Sequence, residues 1–384
     1  MNVRLRKKPK RPDDDTPPPA EPAGGAGAIP DPVAVAPPPH PVPPPPVSPD
    51  PWSIRPAVPL HTGDQLPAIG VEDGWPSYRP VVVGESSVPR TAVPVVGPAR
   101  SVYRPDTVLD GWTEAGLGML AASVRGDGHR RTGLPRQDDV AVLYDAQRRR
   151  VVVAVADGLS AASHAHQAAS AACRYAVQWL DTQCGDVAAT DIPWEALIGA
   201  AAHQVRLVAE QAVTPDPGLD DLARLNVLAA AAATTFSCVV MDMRDGEPEQ
   251  EYLSGSGVAI GDSSVVRLSE AGFEFLGGAK SEDPGGLARS EVLPLPYFAP
   301  STIEPFSVDL YADEYLLVGT DGVWDALGGG GGRLGSALGR VLRRAQPSMT
   351  EFGHVVDFAK DTFDDDRTLA ALWLSERGEN DGCD

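Results

Sequence analysis

Apolar residues are unevenly distributed along this chain. Upstream of about residue 105 they stand isolated among prolines. From Leu117 onwards they gather into short β-branched runs, separated by turn residues, and into two long alanine-rich periodic stretches. Residues 140–144 and 151–156 read as strands, and the polar Asp145-Ala-Gln-Arg-Arg-Arg150 turn between them predicts a hairpin. Residues 160–184 and 193–213 carry apolar side chains at helical spacing, the second through Trp194, Leu197, Ala201, Val205 and Val208, which predicts two amphipathic helices. Further strands are predicted over residues 234–241, 250–260, 264–268, 314–320 and 368–374. Gly and Pro make residues 270–312 an irregular insertion and Gly328 to Gly332 a flexible loop. No Gly-Lys-Ser/Thr follows that loop, so it is not a phosphate cradle. The order strands, helices, strands, helices, strand lacks the strict alternation of a parallel doubly wound sheet. It predicts an α+β sandwich of antiparallel sheets with helices on their outer faces.

Composition divides the 384 residues into an arm and a domain. Twenty of the 38 prolines fall within residues 1–60, in runs such as Pro17-Pro18-Pro19 and Pro43-Pro44-Pro45-Pro46. Such stretches favour solvated polyproline II and bury too little apolar area to offset ordering, so residues 1–105 read as a disordered Pro-rich arm. Residues 106–376 form the domain, and 377–384 a disordered acidic tail. A domain of that size buries roughly three quarters of its extended-chain surface and needs neither disulfide nor structural metal. Cys173, Cys184, Cys238 and Cys383 accordingly show no CxxC pair. No apolar run reaches the ~18 to 20 residues of a membrane span and no secretory h-region opens the chain, so the expected location is cytoplasmic. A formal net charge of -21 argues against nucleic acid as a partner. The basic tip, Arg4, Arg6, Lys7, Lys8, Lys10 and Arg11, is the exception; it is either a solvated tail or a contact for an anionic surface.

Four acids differ from scattered surface charge. Asp138, Asp157, Asp321 and Asp365 each sit at the start or end of a predicted strand, and Asp157 and Asp321 are each followed by glycine. Glycine lets a backbone carbonyl come close to whatever the carboxylate holds, and hard cations such as Mg2+ and Mn2+ take carboxylate and carbonyl oxygens. Asp-Gly alone is also a common turn signal. The set of four is what points to a cation site.

The flanks of these acids resemble the metal-dependent protein phosphatases of type 2C, the PPM family. Gly133-Leu-Pro-Arg-Gln-Asp138 resembles the family's first acidic motif, and Val153-Ala-Val-Ala-Asp157-Gly158 its Asp-Gly motif after a strand. Leu317-Val-Gly-Thr-Asp321-Gly-Val-Trp-Asp325 resembles the third, and Asp365-Asp-Arg-Thr368 the last. Ala233-Thr-Thr-Phe-Ser-Cys resembles the segment that opens a central strand, and all five occur in the family's order over about 250 residues. The resemblance implies a four-layer αββα sandwich and a bacterial-type, monomeric protein Ser/Thr phosphatase whose substrate is a phosphorylated protein. It implies two Mn2+ or Mg2+ ions held by Asp138, Asp157, the Gly158 carbonyl, Asp321 and Asp365, with water as the in-line nucleophile. Asp325 matches the position of a weaker third ion, and its alternative role is a helix N-cap.

Three departures accompany the resemblance. Leu159 stands where members with a DGH motif carry a histidine that can protonate the leaving oxygen; His164 and His166 are the nearby substitutes. General acid catalysis contributes about 10²- to 10⁴-fold, so its loss slows such a reaction without abolishing it. Gly133 occupies the place of the phosphate-binding arginine, which leaves Arg130, Arg131 and Arg136 as candidates, Arg130 first and Arg136 beside it. Gly255-Ser-Gly257 stands where many members have Gly-Asp-Ser, so one third-ion carboxylate is expected to be missing. The competing reading is a catalytically weak phosphoprotein-binding scaffold that uses the Pro-rich arm for interactions.

Overall fold

Runs of β-branched residues become strands wherever both faces of a sheet are covered, and this accounts for the layout of the chain. The computed structural model describes residues 70–72, 75–77, 81–83, 104–114, 116–245, 251–278, 294–297, 303–328, 332–344, 347–360 and 362–374. All of them belong to one compact unit, Asp50–Asp384. The predicted acidic tail and nearly all of the predicted arm, with its basic tip, lie outside the described residues, as does Cys383.

Two short strands, β1 (Gly70–Glu72) and β2 (Trp75–Ser77), pair with each other. The first large sheet contains β3 (Thr107–Glu114), β4 (Leu117–Val124), β9 (Ser264–Ser269), β10 (Gly272–Gly277), β12 (Tyr315–Gly319) and β13 (Arg367–Leu374), in the order β10-β9-β12-β13-β4-β3. The second contains β5 (Asp139–Asp145), β6 (Arg150–Ala156), β7 (Phe236–Asp245), β8 (Glu251–Ile260) and β11 (Phe306–Leu310), in the order β11-β8-β7-β6-β5. Every pairing in both is antiparallel. The helices are α1 (Asp127–Thr132), α2 (Ala165–Cys184), α3 (Trp194–Ala212), α4 (Asp221–Ala231), α5 (Asp321–Leu327), α6 (Arg333–Leu342) and α7 (Met349–Val356).

Three core layers follow from the strand period of two. In β6, Val151, Val153 and Val155 enter the layer between the sheets, while Val152, Ala154 and Ala156 face α2 and α3. In β12, Leu316 and Val318 enter the middle layer, and Tyr315 and Leu317 face α5, α6 and α7. Both strands are therefore apolar throughout, and the four-layer αββα sandwich is the observed fold. Each fully buried Val or Leu contributes roughly 1.5–3 kcal/mol.

The predicted hairpin is β5–β6, in register from Asp139↔Ala156 to Asp145↔Arg150. Two expectations need correction. The 270–312 segment is not irregular throughout: β10 and β11 lie in it, because Phe273 and Phe275, and then Phe306, Val308 and Leu310, alternate with polar residues. Of the loop expected over Gly328 to Gly332, residues 329–331 lie outside the described residues, and Gly332 is the N-cap of α6. The folded unit also starts before residue 106. Val81 and Val83 are buried in the layer beneath α7, and Val83 N–H donates to the Ala359 carbonyl at 2.8 Å while Ala359 N–H donates to Val81 at 2.7 Å. No helix among the described residues is long and apolar enough to cross a membrane.

Candidate active site

The loops at one end of the two sheets carry the predicted acids. Asp138 immediately precedes β5, Asp157 follows β6, Asp321 opens α5 just after β12, and Asp365 lies two residues before β13. Buried hydroxyls join the two sheets here. Thr320 Oγ1 donates to Asp138 Oδ2 at 2.8 Å and accepts from Thr368 N–H at 3.0 Å, and Thr368 Oγ1 lies 2.6 Å from Ser123 Oγ. Asp157 is fixed through its backbone: its N–H donates to Thr235 Oγ1 at 3.1 Å, and its carbonyl accepts from Thr234 Oγ1 and Thr235 N–H, each at 2.8 Å. Gly158 is buried and bridges Thr234. Gly322 permits the approach of α5 to the last loop, since a Cβ there would stand 1.9 Å from the Asp366 carbonyl oxygen.

Asp262 completes a trio that the sequence reading missed. One ligand oxygen each from Asp157, Asp262 and Asp321 lies within 4.8 Å of the others. Gly255-Ser-Gly257 is internal to β8, whereas Gly261, at φ +96°, turns the chain after β8 and puts Asp262 at the strand end. The carboxylate expected to be missing is therefore present. The signal was Gly261-Asp262-Ser263 directly after an apolar run, and Ser263 Oγ ties this loop to Thr235 Oγ1 at 2.7 Å.

The acids perturb one another. Asp138 and Asp157 act on each other, and both are held well above the usual carboxylate range, by burial first and then by neighbouring carboxylates. Burial, with Asp262, Asp365 and Asp325 nearby, pushes Asp321 up to about 7. Asp365, at the more open side, is raised by partial withdrawal from water and by the Asp366 charge. Asp366 behaves oppositely. Burial alone would raise it, but His129, at 3.0 Å, and the backbone N–H groups of Gln137 and Gly126 hold it low. His129 in turn is raised: burial opposes its charge, but Asp366, Asp365 and Asp138 outweigh burial. Asp366 thus stitches the loops before α1 and β5 to the loop before β13.

Of the arginines singled out in the sequence, Arg130 and Arg131 are taken up by other partners, whereas Arg136 stands next to the acids. Arg130, 3% exposed, is occupied by Asp106 at 2.7 Å, Asp357 at 3.2 Å and Asp127 at 3.6 Å. It therefore presents no open face to a phosphate. Arg131 pairs with Asp364. Arg136, 2% exposed, lies 3.8 Å from Asp139, and its Nε and Nη1 find no hydrogen-bond partner among the described residues. Enclosed in this way, it acts as a counter-charge beneath the acids. His166, between burial and Arg104, is held below the ordinary imidazole value, and His164 bonds Ser163 at 2.9 Å. Leu159 packs with Ala162, Ala165, Ala229, Ala233 and Tyr297. Asp325 sits inside α5, whose N-cap is Thr320, so it is not the cap; its carboxylate is among the charges acting on Asp321.

The donor set fits a divalent cation. Carboxylates crowd together with raised affinity for protons, which is the condition in which a hard cation replaces those protons. An αββα sandwich with its carboxylates gathered at the strand ends is the architecture of the phosphatases that the sequence resembles. The sequence model of the protein phosphatase 2C family matches residues 125–344, more than half of the 384-residue chain, and the chain belongs to that family.

Among solved structures, RsbX in complex with magnesium is 13% identical, covering 70% of this chain and 100% of that one with a TM-score of 0.42. The S. agalactiae serine/threonine phosphatase is 16% identical, covering 67% and 100% with a TM-score of 0.41. The Mycobacterium tuberculosis serine/threonine phosphatase PstP/Ppp is 16% identical, covering 67% and 99% with a TM-score of 0.40. No curated protein matches the chain.

Proposed function

We propose that this protein is a metal-dependent protein Ser/Thr phosphatase that hydrolyses phosphomonoesters of phosphoproteins. The observation that carries the reading is the convergence of Asp138, Asp157, Asp262, Asp321 and Asp365 at one end of the sandwich, where Asp138, Asp157, Asp321 and Asp365 bind protons more tightly than free carboxylates do. Asp157, Asp262 and Asp321 would hold one Mn2+ or Mg2+ ion, with Asp325 beside them for a weaker ion. Asp138, Asp157 and Asp365, with the Gly158 carbonyl, would hold another. Two such ions supply an acidified water and a counter-charge for the phosphoryl oxygens.

The chain's own groups set the frame for that chemistry. Thr320 and the Thr234–Thr235 pair fix the orientation of Asp138 and Asp157 before substrate arrives, so no reorganisation is needed during reaction. The His129–Asp366 pair and Arg136 offset part of the carboxylate charge without occupying the trio. With Leu159 packed among alanines and His166 disfavoured as a cation, neither of these side chains offers a protonated histidine beside the Asp-Gly motif. The leaving oxygen is then protonated from solvent, and a slower reaction follows. Alkoxide leaving groups of Ser and Thr suffer more from this than an aryl oxide.

Full-length protein tested with para-nitrophenyl phosphate and with phosphoserine and phosphothreonine peptides should turn over only with Mn2+ or Mg2+, and EDTA or Asp157→Asn should abolish the activity. Turnover that survives EDTA, or a wild-type chain inert toward all three substrates with saturating metal, overturns the reading.

A further inference from the structure

Asp138 is gripped on its carboxyl side by Thr320, and it is gripped on its backbone side as well. Arg104, two residues upstream of the predicted domain start, donates from Nη2 to the Asp138 carbonyl oxygen at 2.6 Å. Its Nη1 donates to Ser170 Oγ on α2 at 2.7 Å, and the Ser170 hydroxyl donates in turn to Asp139 Oδ2, which lies 3.5 Å from Arg104 Nη2. The Asp139 carbonyl accepts a longer bond, 3.5 Å, from Cys173 Sγ on the same helix. The Asp138 carbonyl is thereby fixed to α2 through a guanidinium whose side chain is only 13% exposed, and the Asp139 carbonyl through Cys173.

We propose that Arg104 is a positioning residue of the metal centre. It sets the Asp138 peptide so that the carboxylate points at its ion, and it contributes a positive charge behind the acid cluster. The proposal rests on the metal-dependent reading above. Charge-assisted bonds of this kind are short and directional, and Nη1 and Nη2 serve two different partners, which a lysine ammonium at the end of a flexible stem reproduces only in part. An arginine placed solely to stabilise the fold would need neither the carbonyl of a predicted ligand nor the link through Ser170 to the adjacent residue.

The test uses the full-length chain, with Mn2+ binding followed by calorimetry and urea unfolding followed in EDTA. Arg104→Met should weaken Mn2+ binding about ten- to a hundredfold, the range found when groups that orient metal ligands are lost. Arg104→Lys should recover part of the loss, and Ser170→Ala should shift affinity in the same direction by less. A wild-type isotherm for Arg104→Met with only a lower urea midpoint overturns the proposal. Should Arg104→Met fail to fold, wild-type affinity in both Arg104→Lys and Ser170→Ala overturns it equally. The phosphatase reading fails separately: a wild-type chain that binds Mn2+ yet hydrolyses nothing sinks that reading and leaves the Arg104 comparison readable, whereas a wild-type chain that binds no Mn2+ sinks both.

Discussion

Asp157, Asp262 and Asp321 repel one another until a cation arrives, which gives a single substitution two opposite effects. Asp262→Asn keeps the shape and removes the charge foremost, after burial, in raising Asp321. In EDTA it should raise the urea midpoint. In Mn2+ it should weaken binding by at least about tenfold, the lower bound found even for groups that only orient ligands. Wild-type Mn2+ affinity in the variant would remove Asp262 from the site. Thr320→Val tests the frame: it strips a buried carboxyl of its donor, with an expected loss of about 1–3 kcal/mol by urea unfolding in EDTA. Asp138, Asp157, Asp321 and Asp365 were legible in the sequence because each abuts an apolar run. Asp262 was not, because a Gly-Ser-Gly inside β8 competed for the same motif. Asp366 and His129 could not be found that way, since Gly126 and Asp366 meet across 240 residues. Arg130 was misleading, because its partners Asp106 and Asp357 are distant in sequence.

At the scale of elements, the site depends on how closely strand-end loops approach one another. α5 meets the last loop only because Gly322 has no side chain. Gly322→Ala should cost about 1–3 kcal/mol as overpacking and reduce turnover more than a comparable change remote from the site, since the displaced loop carries Asp365. Wild-type turnover and stability together would show that the loop yields freely. Strands β6 and β12 were legible because burial of both faces leaves a nearly unbroken apolar run, and β7, β8, β9 and β13 because each keeps a shorter one, such as Val239-Val-Met241 or Val258-Ala-Ile260. Strand β3 was not, as an edge strand whose positions are exposed or half-buried. Helix α6 was hidden by Gly335 and Gly339, each costing about 1 kcal/mol of helix propensity, which burial of Leu334, Leu338, Val341 and Leu342 overrides.

For the whole molecule, acid crowding makes metal, protons and stability one linked problem. Asp321 is raised to about 7, and Asp138, Asp157 and Asp365 are also raised, while the unfolded chain titrates its aspartates near ~3.9. Between those values the folded state binds more protons than the unfolded one, so the stability due to these groups is complete at low pH and is lost as pH rises through about 7. His129, also raised, acts in the same direction above its ordinary value. Asp366, held low, acts oppositely, but only below the usual carboxylate range. A net charge of -21 adds general repulsion of the same sign. In EDTA the melting temperature should therefore fall as pH is raised from 5 to 7. Mn2+ displaces those protons, so in saturating Mn2+ the fall should be largely abolished over that interval. At pH 7 and a metal concentration a hundred times Kd, linkage predicts about 2.7 kcal/mol of stabilisation, or roughly 5–10 °C for a domain of this size. Scanning calorimetry at pH 5, 6 and 7, with and without Mn2+, measures both slopes. A metal-free melting temperature that climbs across this range would mean that the carboxylates already hold their charges comfortably, and a site with that property has no need of the cation.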